Sequence, residues 1–459
     1  MEIEKNVASV NIPGNQSMLR LKEKISYGFG DLASNLMWGL VGSFLLYFYT
    51  DVALVPVAAT GTLFLICRVL DAFIDPVIGG FIDRTNTKKW GRTKPYILFG
   101  IIPFAVVLVL TFTSFDISDT GKIVYAYITY IIAGILYSVV NIPYGALMPL
   151  MTRDSNEKAT LSSFRMGGMA IGNILVTAAT MPLVGILGGG DEGRGFLLTT
   201  ILYSIIGIAS FGVIVKNCQE RYLDNHTQST EKVSVSTTYK NAFKNGPWLS
   251  TIIFALIMFV KIGAQVAITI YFCNIVLGNP ALISVLLPLL YVSMIVSSVI
   301  TPAFIKKFKH RKGNIIALSI YIVGFCLLPF IVSNMTFFIV VYFIANIFGG
   351  IGSGAVFGMT ADSVDYNEWK FGNRAEGTLY AGYSFATKVG MAIGGALVGY
   401  VLAFAGYNAN HVTNSAANAI NFLYYFVPIF CSLLQIIALS FYKLDKIHPQ
   451  IVSELNQRN

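Results

Sequence analysis

Charge is scarce in this sequence. Only 12% of its 459 residues are charged, about half the share that a soluble domain carries. Hydrophobic residues make up 55%, and they come in long blocks, not in short periodic faces. Cysteine is scarce as well. Cys67, Cys273, Cys326 and Cys431 fall within apolar runs and Cys218 just past one. They have neither paired nor metal-ligand spacing, so isolated thiols are expected. The alternating ten-residue segments of a lipid-facing barrel are missing. So are H-E-x-x-H, G-x-S-x-G and a phosphate-cradling glycine loop, which argues against an enzyme: no catalytic residues and no cofactor are expected. Residues 1–24 are polar, with no short apolar stretch before a small-residue cleavage site, so the first helix is expected to stay in place.

The long apolar blocks are present in number. Segments such as FLLTTILYSIIGIASFGVIV (196–215) reach the roughly 18–20 apolar residues that cross a bilayer. Hydropathy and helix breakers give twelve spans: 25–50, 55–82, 95–115, 121–151, 164–188 and 195–217, then 247–275, 281–304, 313–333, 336–361, 377–405 and 420–442. The longest polar connection lies between the sixth and seventh. The expected organisation is a segment 1–24, a six-helix bundle 25–217, a central loop 218–246, a second bundle 247–442 and a tail 443–459.

Basic residues set the orientation. The ends of the chain and the even-numbered loops, with their flanking turns, hold 27 of the 32 Lys and Arg, whereas the odd-numbered loops hold only Lys122 and Arg194. Both termini are therefore expected in the cytoplasm. The net charge of +9 belongs beside anionic membrane lipid and not on nucleic acid.

The second span carries a charged cluster in CRVLDAFIDP (67–76). Arg68, Asp71 and Asp75 are spaced i, i+3 and i+7 and share one helix face. Such a face cannot meet lipid and must turn toward the bundle interior or water. Two carboxylates four residues apart repel unless a cation or proton sits with them. Arg68 can neutralise one, which leaves the other for something positive that comes and goes. A catalytic carboxylate pair would instead converge from different elements.

The halves echo each other. GGFIDRTNTKKWGRTKPYILFG follows the second span and TPAFIKKFKHRKGNIIALSIYI the eighth, as in two bundles that rock about a central site. The first loop resembles the G-x-x-x-D-R-x-G signature of the major facilitator superfamily in Gly79–Arg84, with Lys88, Lys89 and Arg92 following; Asn86 stands where glycine is usual. The resemblance implies gate or charge-network roles for Asp83 and Arg84.

Further segments narrow the likeness. KISYGFGDLASN (24–35), YFYTDV (47–52), RVLDAFIDPVIGG (68–80), WGRTKPYIL (90–98), NIPYGALMPLMTRD (141–154) and DSVDYNEWKFGNRAEGTLYAGYSFATKVG (362–390) resemble the glycoside–pentoside–hexuronide:cation symporters across the whole chain. The resemblance implies an all-α membrane protein of twelve helices in two pseudo-symmetric bundles of six. It also implies a bacterial inner-membrane location and secondary active import of a sugar or glycoside with H⁺ or Na⁺.

By the same likeness Asp71 and Asp75 form the cation site, with Ser138 as its hydroxyl. Members that use Na⁺ have Asn before the second acid, where this chain has Ile74. Na⁺ wants several oxygens and a proton one carboxylate, so H⁺ is the expected coupling ion, with Na⁺ at Asp71 and Asp75 the alternative. For the sugar, Asn35 and Asn141 stand where melibiose-transporting members have acids. Gly145 stands where they have a stacking aromatic, with Tyr144 adjacent, and Tyr137, Arg165, Ser384 and Lys388 match a Tyr, Arg, Thr and Lys of that site.

Lys261, mid-way along the seventh span, is too deep to snorkel easily. It is expected to pair with a resident acid, the alternative being a uronide carboxylate. A neutral glycoside or xyloside is therefore expected ahead of a hexuronide. Asp31 is expected near the cytoplasmic end of the first span, as a gate partner or helix-end charge sharing a face with Asn35. Asp365, Glu368 and Arg374, in the loop DYNEWKFGNR (365–374), are expected to lock an inner gate. Trp38, Tyr47 and Tyr49 read as interface anchors or packing. The other functional class is a sugar sensor that keeps this fold without transport.

Overall fold

The protein is represented by a computed structural model, which describes residues 19–458 apart from 86, 88–89, 153, 223–234 and 373–374. The side chains of Arg68 and Asp83, and the whole of Arg374, lie outside the described residues.

Helix follows helix. The first half contains α1 (Leu21–Tyr47), α2 (Val57–Arg84), α3 (Lys94–Thr111), α4 (Asp119–Met151), α5 (Ser155–Gly188) and α6 (Glu192–Asn217). A short α7 (Val235–Lys244) leads to the second half: α8 (Gly246–Tyr271), α9 (Ile283–Phe308), α10 (His310–Ile331), α11 (Met335–Phe371), α12 (Glu376–Phe404), α13 (Asn414–Ser440) and α14 (Leu444–Arg458). Side-chain caps start several of them: Asp154 accepts from the Glu157 amide, Asn245 from Trp248 and Thr413 from Ala416, satisfying amides that would otherwise lack partners. Among the described residues the only β-type pairing is an isolated bridge between Thr87 and Gly91.

Among the described residues, eleven helices are long and apolar enough to cross a membrane. The remaining expected span is α2. Its 28 residues suffice in length, but the charged cluster divides its apolar sequence into Val57–Cys67 and Phe73–Ile82. Two helices run past their expected ends. α5 begins at Ser155, where Asp154 caps it, and α11 continues to Phe371, where Gly372 at φ 68° ends it. The stretch 365–371, expected as a loop, is thus helical.

Within the first half α1 packs on α5 and α6, α3 on α4 and α6, and α2 on α4. Within the second, α8 packs on α12 and α13, α10 on α11 and α13, and α9 on α11. The halves meet through α2 with α12, α5 with α9, and α1 with α8. Small residues permit the closest approaches, as in membrane bundles generally. A Cβ on Gly168 of α5 would stand 2.1 Å from the Gly28 carbonyl oxygen of α1, and one on Gly394 of α12 would stand 2.4 Å from that of Val260 on α8.

Polar contacts also join the halves at the end remote from the chain termini. The Thr50 and Tyr271 hydroxyls lie 2.6 Å apart, and those of Thr62 and Tyr400 lie 2.8 Å apart. Tyr407, in the turn after α12, donates to Asp51 at 2.6 Å. Burial, with the Asp51 carboxylate adding to it, raises the Tyr407 pKa above the ordinary phenol value, so this hydroxyl stays a neutral donor. Tyr47 and Tyr49 are buried beside these contacts. Here Tyr47 donates to Glu192 at 2.9 Å, so both act in packing, not as interface anchors.

Candidate cation and sugar site

Between the halves lies a cavity of about 460 Å³, within the size range of small-molecule sites. Helix periodicity decides what lines it. On α2, Asp71 and Asp75 are one turn apart and both face it. On α4, Tyr137, Ser138 and Asn141 fall on one stripe, and on α1 Asn35 and Trp38 do the same. The second half contributes Tyr291 from α9 and Thr387 and Lys388 from α12.

The acids sit against small residues and one base. A Cβ on Gly134 of α4 would come 3.6 Å from Asp71 Oδ1, so the absence of a side chain there leaves that carboxylate room. Lys388 reaches from α12 and donates to Asp75 Oδ2 in an ion pair. Among the described residues the other oxygen, Asp75 Oδ1, is buried without a hydrogen-bond partner. A buried carboxylate oxygen in this state is costly and suits an incoming proton or cation. Sequence spacing assigned Arg68 as the neutralising base. The structure adds Lys388, from the other half of the molecule, as the partner of Asp75.

The opposite wall is made of amides and aromatic rings. Asn173 of α5 donates to Asn35 Oδ1 at 2.8 Å, and Asn35 donates to the Asp31 carbonyl at 2.7 Å. Trp38 stacks on Tyr137 with ring centroids 4.5 Å apart and planes 8° apart. Trp38 is therefore part of the cavity wall and not an interface anchor. An aromatic face of this kind can cover the apolar side of a sugar ring, while amides donate to or accept from its hydroxyls.

Four residues expected at the sugar site lie elsewhere. Arg165 donates from Nε to Asp31 Oδ2 at 2.5 Å, and its guanidinium lies 4.8 Å from the centre of the Tyr144 ring. The Tyr144 hydroxyl is 2.8 Å from the same Asp31 oxygen. The three form one group behind Asn35, with Tyr144 buried and the ion pair partly so, and Asp31 is thus the counter-ion of Arg165. Ser384 is exposed and outside the cavity wall, where Thr387, almost a turn further along α12, takes the place expected for it. Lys261 lies inside the second half and lines a separate small cavity. It has no carboxylate partner among the described residues, contrary to the expected pairing.

Of the gate residues, Arg84 is exposed at the end of α2. Asp365 receives His448 of α14 at 3.1 Å, and Glu368 ends α11, its carbonyl accepting the Gly372 amide. The Asp365 contact ties α14 to α11 within the second half.

Comparison with known proteins agrees with this architecture. The profile of the family described as MFS/sugar transport protein matches residues 26–446. The chain belongs to that family. It is accordingly a multi-pass membrane transporter and not an enzyme, and the likeness to the glycoside–pentoside–hexuronide:cation symporters holds along its length. The isoprimeverose transporter of Lactiplantibacillus pentosus is 37% identical over 97% of this chain and 93% of its own. The inner membrane symporter YicJ of Escherichia coli (strain K12) is 33% identical over 95% of each. Among solved structures, a D-xylose–proton symporter superposes with a TM-score of 0.63 at 15% identity, covering 92% of this chain and 97% of its own. At that identity it shares the fold.

Four cavity residues, Trp38, Asn173, Tyr291 and Thr387, were not singled out as site residues from the sequence. Asn173 carried a usable signal, since a carboxamide inside an apolar run is rare at membrane depth, and Trp38 lies one turn from Asn35. Tyr291 carried none.

Proposed function

We propose that the protein imports a neutral glycoside or pentose-containing sugar together with H⁺, with Asp71 and Asp75 as the cation site and Ser138 beside them. The observation that carries this reading is the ion pair between Asp75 and Lys388 in the wall of a cavity that also presents carboxamides, hydroxyls and aromatic rings. A base from one half engages an acid from the other. Protonation of Asp75 releases Lys388, which then donates to a sugar hydroxyl, so that the loaded state needs both substrates. A proton needs one oxygen, and Asp75 Oδ1 offers one, whereas Na⁺ asks for several.

The substrate is neutral because Arg165 is held by Asp31, and Lys388, the base freed on loading, shares the cavity wall with the carboxylate of Asp71. The relative named for isoprimeverose transport supports a pentose-containing disaccharide. The end bearing the chain termini is cytoplasmic, as the distribution of Lys and Arg indicates. The polar contacts around Asp51 and Tyr407 then close the outer side, and residues 25–217 and 247–442 rock as two bundles to open it.

Uptake by cells supplied with radiolabelled neutral xylosides and, separately, hexuronides tests the reading. Accumulation of a neutral xyloside, lost in Asp75→Asn while unlabelled sugar still exchanges with labelled sugar across the membrane, is the expected result. Accumulation of hexuronides alone would overturn the substrate class.

A further inference from the structure

A second polar cavity lies within the second half, between α8, α9, α10 and α11. Its volume is about 30 Å³, room for two or so water-sized spheres and far less than a sugar ring needs. Lys261 lines it and is 2% exposed. The other polar groups there satisfy one another. Gln265 donates to Asn346 at 3.1 Å, Tyr321 donates to Gln265 at 3.3 Å, and Asn346 donates to the Tyr342 carbonyl at 2.8 Å.

The Lys261 ammonium is left with weak company. Its Nζ donates to the Ser432 hydroxyl at a long 3.4 Å and lies 4.2 Å from the centre of the Tyr321 ring. Ser432 spends its own hydrogen on the Pro428 carbonyl at 2.8 Å. An ammonium has three donors, so among the described residues at least one N–H lacks an acceptor. The nearby titratable group is the Cys431 thiol, which supplies no formal charge. A hydroxyl and a ring face do not offset the cost of burying a full positive charge, which needs an opposite charge with good geometry.

We infer that the cavity beside Lys261 binds one small monovalent anion of halide size, as the counter-ion of that lysine. The site is separate from the sugar cavity, the two sharing only the Tyr291 wall, and by neutralising Lys261 it holds α8 against α9, α10 and α11, whose residues line it. A transported carboxylate is too large for it once its sugar ring is included.

Two measurements on the purified full-length protein test this. Crystals grown with bromide replacing chloride are expected to give an anomalous peak within hydrogen-bonding distance of Lys261 Nζ, absent in Lys261→Met. No peak there in the wild type, with or without peaks elsewhere, would overturn the proposal. Thermal unfolding compared in choline chloride and choline gluconate at equal ionic strength is expected to give a higher midpoint in chloride for the wild type, a shift lost in Lys261→Met. Equal midpoints in the two salts, or a higher midpoint in gluconate, would equally overturn it. The wild-type diffraction experiment needs no variant to fold.

Discussion

At the scale of single residues, the site depends on which charges are already spent. Asp75 holds Lys388 and Asp31 holds Arg165, so two side chains that look equivalent in a list of bases differ in availability. Lys388→Gln removes the internal competitor of the coupling ion. The account predicts that it loses sugar accumulation, measured as uptake of a labelled neutral xyloside. Trp38→Ala strips one face of the cavity. Losing a large apolar contact costs about 1.5–3 kcal/mol, so sugar binding measured by isothermal titration is expected to weaken by roughly ten- to a hundredfold with coupling intact. The spacing of Asp71 and Asp75 made their shared place in the cavity wall legible, because charges at membrane depth are few and must share a face. The pairings of Asp31 with Arg165 and of Asp75 with Lys388 were not legible: each joins residues more than a hundred positions apart, and nothing local in the sequence records which helices meet.

At the scale of helices, glycine sets the distances and polar contacts set the closed end. Gly394→Val on α12 would drive side-chain atoms into the α8 backbone. Overpacking of this kind costs about 1–3 kcal/mol or more, and a lowered unfolding midpoint in detergent is the expected result. Asp51→Asn with Tyr407→Phe removes a charge-assisted bond between the halves, worth about 1.5–3 kcal/mol. The population with the outer end open is expected to rise by about tenfold or more, read as faster thiol labelling of Ala267→Cys from the outside. Unchanged labelling would mean that Asp51 does not hold that end. Eleven of the twelve expected spans stand out among the described residues as apolar helices long enough to cross, whereas the charged cluster in α2 hides that span from hydropathy alone. The ends of α5 and α11 were not readable either, because Asp154 and Gly372 fix them outside the apolar runs on which hydropathy reports.

At the scale of the whole molecule, two packed halves enclose a cavity whose acids come from α2 and whose base comes from α12. Those are the helices that meet across the two halves, so a change in the charge of one residue acts on the contact between bundles. In the proposed cycle a carboxylate on α2 thereby couples ion to sugar with no separate relay. The repeated loops after the second and eighth spans foretold the division into halves, whereas the closed end emerges only from tyrosine hydroxyls spread over both. The central claim is that a proton on Asp75 travels with the sugar. It is tested most directly by recording external pH when a neutral xyloside is added to de-energised cells containing the protein, in medium without Na⁺. The account predicts prompt alkalinisation with the wild type and none with Asp75→Asn. Sugar uptake without any pH change, or alkalinisation that persists in Asp75→Asn, would contradict it.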